Sequence, residues 1–166
     1  LLRDMGGAMT PFNAFMFIQG LETLALRVRE HSKNADEIAK FLMDHPKVER
    51  VVHPSVASDL AKERADKYLS GGCGGLMGFE IKGGIEAGKQ FINSLEMFYH
   101  VANIGDSRSL AIHPASTTHS QLNEEELLSA GVTPGYVRLS IGLEHLDDIK
   151  DDLTQALDKV SVGVRY

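Results

Sequence analysis

The chain has 166 residues, enough for one domain with its own hydrophobic core. Hydrophobic residues make up 43% and charged residues 24%, the balance of an ordinary globular protein. The formal net charge of -6, with basic residues scattered singly, argues against a nucleic-acid partner, because phosphate binding needs clustered Lys and Arg. No apolar run approaches membrane-spanning length, so no membrane partner is expected either.

A single long helix is predicted from Pro11 to His45. Thr10 is a suitable N-cap, proline suits the first helical turn, and apolar residues recur at helical spacing until Pro46. At 1.5 Å per residue this helix would be about 50 Å long, more than the ~40 Å diameter expected of such a domain. We therefore expect it to bend near Gly20 or to extend beyond the domain. Its start is rich in Phe and Met, which suggests a partner surface outside the chain.

Strands and helices alternate along the rest of the chain, which predicts an α+β fold with one sheet covered by helices on one face. Asn123 followed by Glu126 predicts a capped helix start, and Gly131 closes that helix. The predicted elements are strands at 48–54, 74–83, 100–105, 109–114 and 136–142, and helices at 59–69, 84–98, 124–131 and from 146 onward.

Cys73 is the only cysteine and lies in the glycine-rich segment GGCGG. One cysteine excludes an internal disulfide, and a free thiol is typical of a cytoplasmic protein. No histidine or basic residue is adjacent in the sequence, so an inert thiol is favoured over a nucleophile. The segment precedes a strand and lacks a Gly-Lys-Ser/Thr ending, so it does not predict a phosphate loop.

Two polar segments have simpler interpretations than a metal site. His113 and His119 are six residues apart with no cysteine or third histidine close by, so zinc is not expected. The hydroxyls of the surrounding segment 105–120 can satisfy their own backbone, which favours a structured loop, with a substrate site as the alternative. The four aspartates of the last helix complement its dipole; they are Asp147, Asp148, Asp151 and Asp152.

Arg138 interrupts an apolar strand. Its neighbours Val137 and Leu139 would face the core, so Arg138 points to the opposite face of the sheet. A guanidinium keeps its charge and must find water or an anion. The pattern leaves two interpretations open: an arginine in water on a half-exposed strand, or a planar fork for a carboxylate or phosphate, with Tyr136 and Ser140 as walls.

Three long motifs, in this order and spacing, resemble the pyridoxal-phosphate-dependent Cys/Met metabolism (trans-sulfuration) family, and within it the O-acetylhomoserine sulfhydrylases. They are RDMGGAMTPFNAFMFIQGLETLALRVREHSKNA, ANIGDSRSLAIHPASTTHS and GYVRLSIGLEHLDDIKDDLTQAL. The resemblance implies the C-terminal portion of a fold-type I enzyme with a short, mainly antiparallel sheet. Residues 1–45 would be a linking helix toward a missing large domain, and residues 46–166 the small domain.

The resemblance also implies the residues of a substrate site. Arg138 matches the arginine that binds the substrate carboxylate, and Asn103 matches its partner position. Arg108 stands where enzymes of cystathionine carry a glutamate, and a cation there would repel the distal ammonium of cystathionine. A substrate with a neutral distal ester is therefore favoured. Ser109 and Thr118 match positions near the pocket.

The resemblance implies pyridoxal 5'-phosphate as the cofactor, bound by the missing domain through a lysine. None of the nine lysines here lies in the family's lysine motif, so this chain contains no catalytic or cofactor-binding residue and is expected to be inactive alone. The implied reaction is γ-replacement, in which sulfide or a thiol replaces the acetate of O-acetylhomoserine to give homocysteine or methionine.

The expected partners are the amino-acid substrate, sulfide or a thiol, the chain's own large domain and further copies, since full-length family members are tetramers. The expected location is the cytoplasm. Two alternatives remain open at this stage. One is a methionine γ-lyase or cystathionine γ-synthase of the same family, and the other is a non-catalytic interaction domain with this fold.

Overall fold

The computed structural model of the protein describes residues 2–161, with the side chains of residues 2, 3, 59 and 124 excepted. The helices are α1 (Leu2–Met5), α2 (Pro11–Glu22), α3 (Leu24–Met43), α4 (Asp59–Tyr68), α5 (Gly84–Ser94), α6 (Glu124–Ser129) and α7 (Leu146–Lys159). The strands are β1 (Val48–Val52), β2 (Leu76–Ile81), β3 (Tyr99–His100), β4 (Leu110–Ile112) and β5 (Tyr136–Ser140). Single 3-10 turns cover Pro54–Val56 and Pro114–Ser116. Within the described range, no helix is both long and apolar enough to cross a membrane.

The strands form one sheet in the order β1-β2-β5-β4-β3. Every neighbouring pair is antiparallel except β3 and β4, which run parallel. The predicted α+β class with a mainly antiparallel sheet is therefore confirmed. Strand β5 lies at the centre, so its side chains have neighbours from β2 on one side and from β4 on the other.

Helices α3, α5 and α7 cover one face of this sheet and enclose the main hydrophobic core. Alternate strand residues such as Phe79 and Leu139 point into it and are fully buried. Phe79 meets Phe91 of α5 edge to face, with ring centroids 5.3 Å apart. Each fully buried side chain of this size contributes about 1.5–3 kcal/mol, so this face of the sheet dominates the stability of the fold.

The predicted long helix is interrupted at Thr23, whose φ of -105° and ψ of 3° are not helical. The bend therefore lies about one turn after Gly20, and the Arg27 guanidinium donates to the freed Gly20 carbonyl. Helix α2 buries no residue, whereas α3 buries seven residues between His31 and Leu42, and Ala35, Ile38, Ala39 and Leu42 among them lie in the core. The second half of the proposed linking segment is thus part of the packed domain. A role of α2 toward further polypeptide stays a prediction.

The predicted strand at 100–105 was wrong beyond its first residue. Only Tyr99 and His100 pair with β4, and the chain then leaves the sheet as the loop 101–109. Gly105 in this loop has a φ of +76°, which an extended strand does not allow. The short helix α6, in contrast, has the predicted capping box between Asn123 and Glu126 and ends before Gly131, with a φ of +76°.

Asp152 has a different role from the one predicted. It is only 6% exposed and accepts backbone N–H bonds from Glu96 (2.8 Å), Met97 (2.9 Å) and Phe98 (3.2 Å). The Gln155 amide donates a fourth bond at 2.9 Å. The carboxylate therefore stops α5 short of its predicted end and fixes the segment that leads into β3.

Candidate functional site

Arg138 lies at the middle of the central strand β5, on the sheet face opposite the helices. Its backbone partners are Gly78 of β2 and Ile112 of β4. Its neighbours Val137 and Leu139 are fully buried on the helix-covered face, whereas Arg138 itself is half-buried. The orientation predicted from the alternating pattern is confirmed.

Tyr136 forms a wall beside Arg138. The neighbouring strand β2 leaves room for its ring, because residue 78 of that strand is a glycine. The Tyr136 ring lies over that glycine, where an added Cβ would overlap its hydroxyl end. Burial raises the pKa of the Tyr136 phenol, although the nearby Arg138 and Arg50 guanidinium groups lower it. The phenol therefore stays protonated at neutral pH. Tyr136 and Arg138 both line an open groove of about 910 Å³ that extends to helix α4.

On its other side, Arg138 meets a smaller depression of about 520 Å³. Its remaining walls are residues 102–106 of the loop that follows β3. The buried Ser140 hydroxyl accepts the Gly105 backbone N–H at 3.1 Å and pins this loop to β5. Because Ser140 is two residues from Arg138 on one strand, both side chains share a face. The structure thus brings Asn103 and Arg138, 35 positions apart in the sequence, into one depression.

The guanidinium of Arg138 has an unused donor. Its Nη2 atom is buried and has no hydrogen-bond partner among the described residues. A buried donor without a partner costs about 1–3 kcal/mol, more when charged, so such atoms call for an explanation. A carboxylate accepting two parallel N–H bonds would satisfy the fork. Arg138 and Asn103 together can therefore recognise a small carboxylate.

Arg108 does not line this depression, but its partner Asp106 does. The Asp106 carboxylate accepts the Arg108 backbone N–H at 3.0 Å and the guanidinium at 3.3 and 3.4 Å. The guanidinium also stacks on the Tyr99 ring at 4.4 Å. The backbone N–H and then the guanidinium of Arg108 lower the pKa of the Asp106 carboxyl, and Asp106 raises the pKa of Arg108. Both groups are therefore charged at neutral pH.

Ser109 is fully buried and bonded within the protein. Its backbone N–H and hydroxyl donate to the Glu144 carboxylate at 2.6 and 2.9 Å, and its hydroxyl accepts the Gly142 N–H at 2.9 Å. These bonds fix the turn that follows β5. Thr118 is exposed, lies outside the depression, and has its hydroxyl 2.9 Å from the His119 ring.

His113 is a structural residue rather than part of the depression. It is fully buried, with Nδ1 2.8 Å from the Ser116 hydroxyl and Nε2 2.8 Å from the Pro134 carbonyl. Burial lowers the pKa of His113, although the bond to Pro134 raises it. A neutral ring that donates from Nε2 and accepts at Nδ1 satisfies both partners. The Ser116 and Thr117 hydroxyls also bond to the His113 carbonyl, as expected of a structured loop.

Sequence reasoning missed Asp106 and Tyr99. Aspartate in a turn commonly accepts the backbone N–H of the second following residue, so the bond from Arg108 to Asp106 could have been predicted from the sequence. The stacking of Arg108 on Tyr99 could not be predicted in this way. It depends on where strand β3 ends, and no local residue pattern shows that.

Comparison with known proteins adds the family. A model of the family described as "Cys/Met metabolism PLP-dependent enzyme" matches residues 1–158. The chain belongs to this family. An O-acetyl-L-homoserine sulfhydrylase of Leptospira meyeri is 56% identical over 96% of the chain and 36% of its own length. O-acetyl-L-homoserine sulfhydrylase 1 of Thermus thermophilus is 49% identical over 94% of the chain and 37% of its own length. The chain thus spans little more than a third of these family members.

A solved structure agrees with the fold. It is a putative O-acetylhomoserine (thiol)-lyase from Campylobacter jejuni, 47% identical, with a TM-score of 0.84 over 95% of the chain and 37% of its own length. That protein carries N'-pyridoxyl-lysine-5'-monophosphate at its position 205. In the present family member, none of the nine lysines lines the groove or the depression. The groove and the depression therefore offer no lysine amine for such a linkage among their described lining residues.

Proposed function

We propose that the chain provides the substrate-carboxylate site of a longer, pyridoxal-phosphate-dependent O-acetylhomoserine sulfhydrylase. In this reaction sulfide or a thiol replaces the acetate of O-acetylhomoserine and gives homocysteine or methionine. The observation that carries the proposal is the buried Arg138 Nη2 without a partner, in a depression shared with Asn103. The similarity to two proteins named as sulfhydrylases supports this choice of reaction.

Arg138 would bind and orient the substrate. A bidentate grip on the α-carboxylate fixes two substrate oxygens relative to the rigid central strand. Tyr136 lines the groove together with Arg138, and the loop held by Ser140 lines the depression together with Arg138. Asn103 would supply an amide N–H to one carboxylate oxygen. Such an arrangement holds the amino acid in one orientation before any bond changes.

Two of the expected site residues would act indirectly. We propose that Ser109 positions the site through Glu144 and Gly142, because its hydroxyl already has a donor and an acceptor partner. We propose that Arg108 acts through Asp106, since only the carboxylate lines the depression. A direct contact of Thr118 with substrate stays a prediction.

The rest of the enzyme would lie outside this chain. We propose that the lysine and the pyridoxal 5'-phosphate belong to a large domain of the longer polypeptide, which packs on the apolar surface of α2. This helix exposes six large apolar residues, namely Phe12, Phe15, Met16, Phe17, Ile18 and Leu21. We further propose a homo-oligomeric, cytoplasmic enzyme, and that the 166-residue chain alone is inactive.

The product of the longer polypeptide tests this proposal. Incubation with O-acetylhomoserine and sulfide should release homocysteine and acetate in equal amounts. Release of methanethiol from methionine alone, without activity on O-acetylhomoserine, would instead indicate a methionine γ-lyase. A longer polypeptide without bound cofactor absorption in the visible range, and without either product, would favour a non-catalytic interaction domain.

A further inference from the structure

The loop after β3 contains a second cation that is kept out of the depression. The Arg108 guanidinium lies 3.3 Å and 3.4 Å from the two Asp106 oxygens, and its flat face lies on Tyr99. Asp106 lines the depression and Arg108 does not, so the carboxylate connects the guanidinium to the depression. The guanidinium is more than half exposed, so it can turn toward another acceptor when its partner changes.

The charged groups around the depression therefore differ in whether they can bind a ligand. Asp106 and Arg108 compensate each other, whereas Arg138 has no ion pair with another described residue and has the unpartnered Nη2. Among the described residues that line the depression, Arg138 is the one cation without a carboxylate partner, which suits a ligand with one carboxylate. A ligand with a second carboxylate on its distal end would meet the Asp106 carboxylate instead of a cation.

We propose that Asp106 determines substrate specificity by occupying Arg108, so that amino acids with one carboxylate are preferred over those with a second, distal carboxylate. This inference rests on the proposed role of Arg138 in binding the α-carboxylate. It assigns the selectivity to the pair of Asp106 and Arg108, with Tyr99 as the surface that holds the guanidinium aside.

Asp106→Asn is the variant that separates charge from loop geometry. An asparagine oxygen can still accept the Arg108 backbone N–H, which Asp106 does at 3.0 Å, so the turn is preserved. The amide cannot form an ion pair, so the guanidinium is released. Tyr99→Leu provides a second variant that frees Arg108 from the other side and leaves the carboxylate in place.

The experiment measures kcat/KM of the longer polypeptide for O-acetyl-L-homoserine and for O-succinyl-L-homoserine with sulfide. The ratio of the succinyl to the acetyl value should rise at least about fivefold in Asp106→Asn, since an exposed pair competes only modestly. The double variant Asp106→Asn/Arg108→Gln should return the ratio to near the wild-type value. Asp151→Asn, an exposed acid on α7, is the matched charge control.

An unchanged ratio in Asp106→Asn would overturn the inference, whether or not Tyr99→Leu changes the ratio. So would a ratio that stays high in the double variant, because the effect would then not come from Arg108. Failure of the proposed function looks different: the wild-type protein would then turn over neither ester.

Discussion

Arg138 lies in an open groove that Gly78 and Tyr136 also line. Gly78 leaves room for the Tyr136 ring, and Tyr136 then forms the wall beside the guanidinium. We predict that Gly78→Ala lowers the free energy of unfolding by about 1–3 kcal/mol, because the new methyl group overlaps the ring. Gly71→Ala is the control, since nothing lies within 4 Å of its added Cβ. Equal urea midpoints for the two variants would contradict this packing.

His113 should make the fold sensitive to acid. Burial lowers its folded-state pKa below the unfolded value of about 6.5, so the unfolded chain binds more protons between these two values. The free energy of unfolding should therefore fall as the pH decreases from about 7.5 to 5.5. In His113→Asn the fall should be smaller, with His45 and His53, whose pKa values are also lowered by burial, contributing the rest. Urea unfolding at both pH values measures this fall. An equal fall in His113→Asn and in the wild-type protein would show that His113 does not cause it.

At the scale of elements, one carboxylate joins helix α7 to the segment between α5 and β3. Asp152 accepts three backbone N–H bonds from residues 96–98. Removing it leaves these donors unsatisfied, so Asp152→Ala should lower the free energy of unfolding by about 2–4 kcal/mol. The adjacent Asp151 is exposed, and Asp151→Ala should change it by less than about 0.5 kcal/mol. Similar losses in both variants would show that helix-dipole effects, rather than the buried bonds, are responsible.

Helix α2 should contribute little to the stability of this chain. None of its residues is buried, and the helices that enclose the core are α3, α5 and α7. Deleting residues 1–22 should change the free energy of unfolding by less than about 1 kcal/mol and should reduce concentration-dependent self-association. Urea unfolding and light scattering measure the two effects. A large loss of stability would mean that α2 packs on the domain in solution.

Local patterns predicted much of this fold, and sequence-distant contacts account for the rest. The alternation around Arg138 and the capping box at Asn123 depend on neighbours within a few positions, so both could be read from the sequence. The break at Thr23 is not marked by a proline or a glycine at that position. The bond from the Gly105 N–H to the Ser140 hydroxyl joins positions 35 apart, and no residue pattern predicts it. The residue pattern therefore predicted Arg138 with Tyr136 and Ser140 beside it, but not the depression that the loop after β3 forms.

At the scale of the whole molecule, the chain is a packed domain with two surfaces that have no partner among its described residues. One face of its sheet exposes a charged depression at Arg138, and one helix exposes an apolar surface. Both are consistent with a longer enzyme in which a second domain covers α2 and brings the cofactor to the depression. The family match and the 36–37% coverage of its relatives support that proposal.

Steady-state kinetics of Arg138→Lys in the longer polypeptide test whether Arg138 binds the substrate α-carboxylate, because lysine keeps the charge but loses the bidentate fork. We predict a KM for O-acetylhomoserine raised at least about tenfold. Arg50→Lys, on the same open face in β1, should stay within about twofold of the wild-type KM. A wild-type KM in Arg138→Lys would show that Arg138 does not bind the substrate carboxylate.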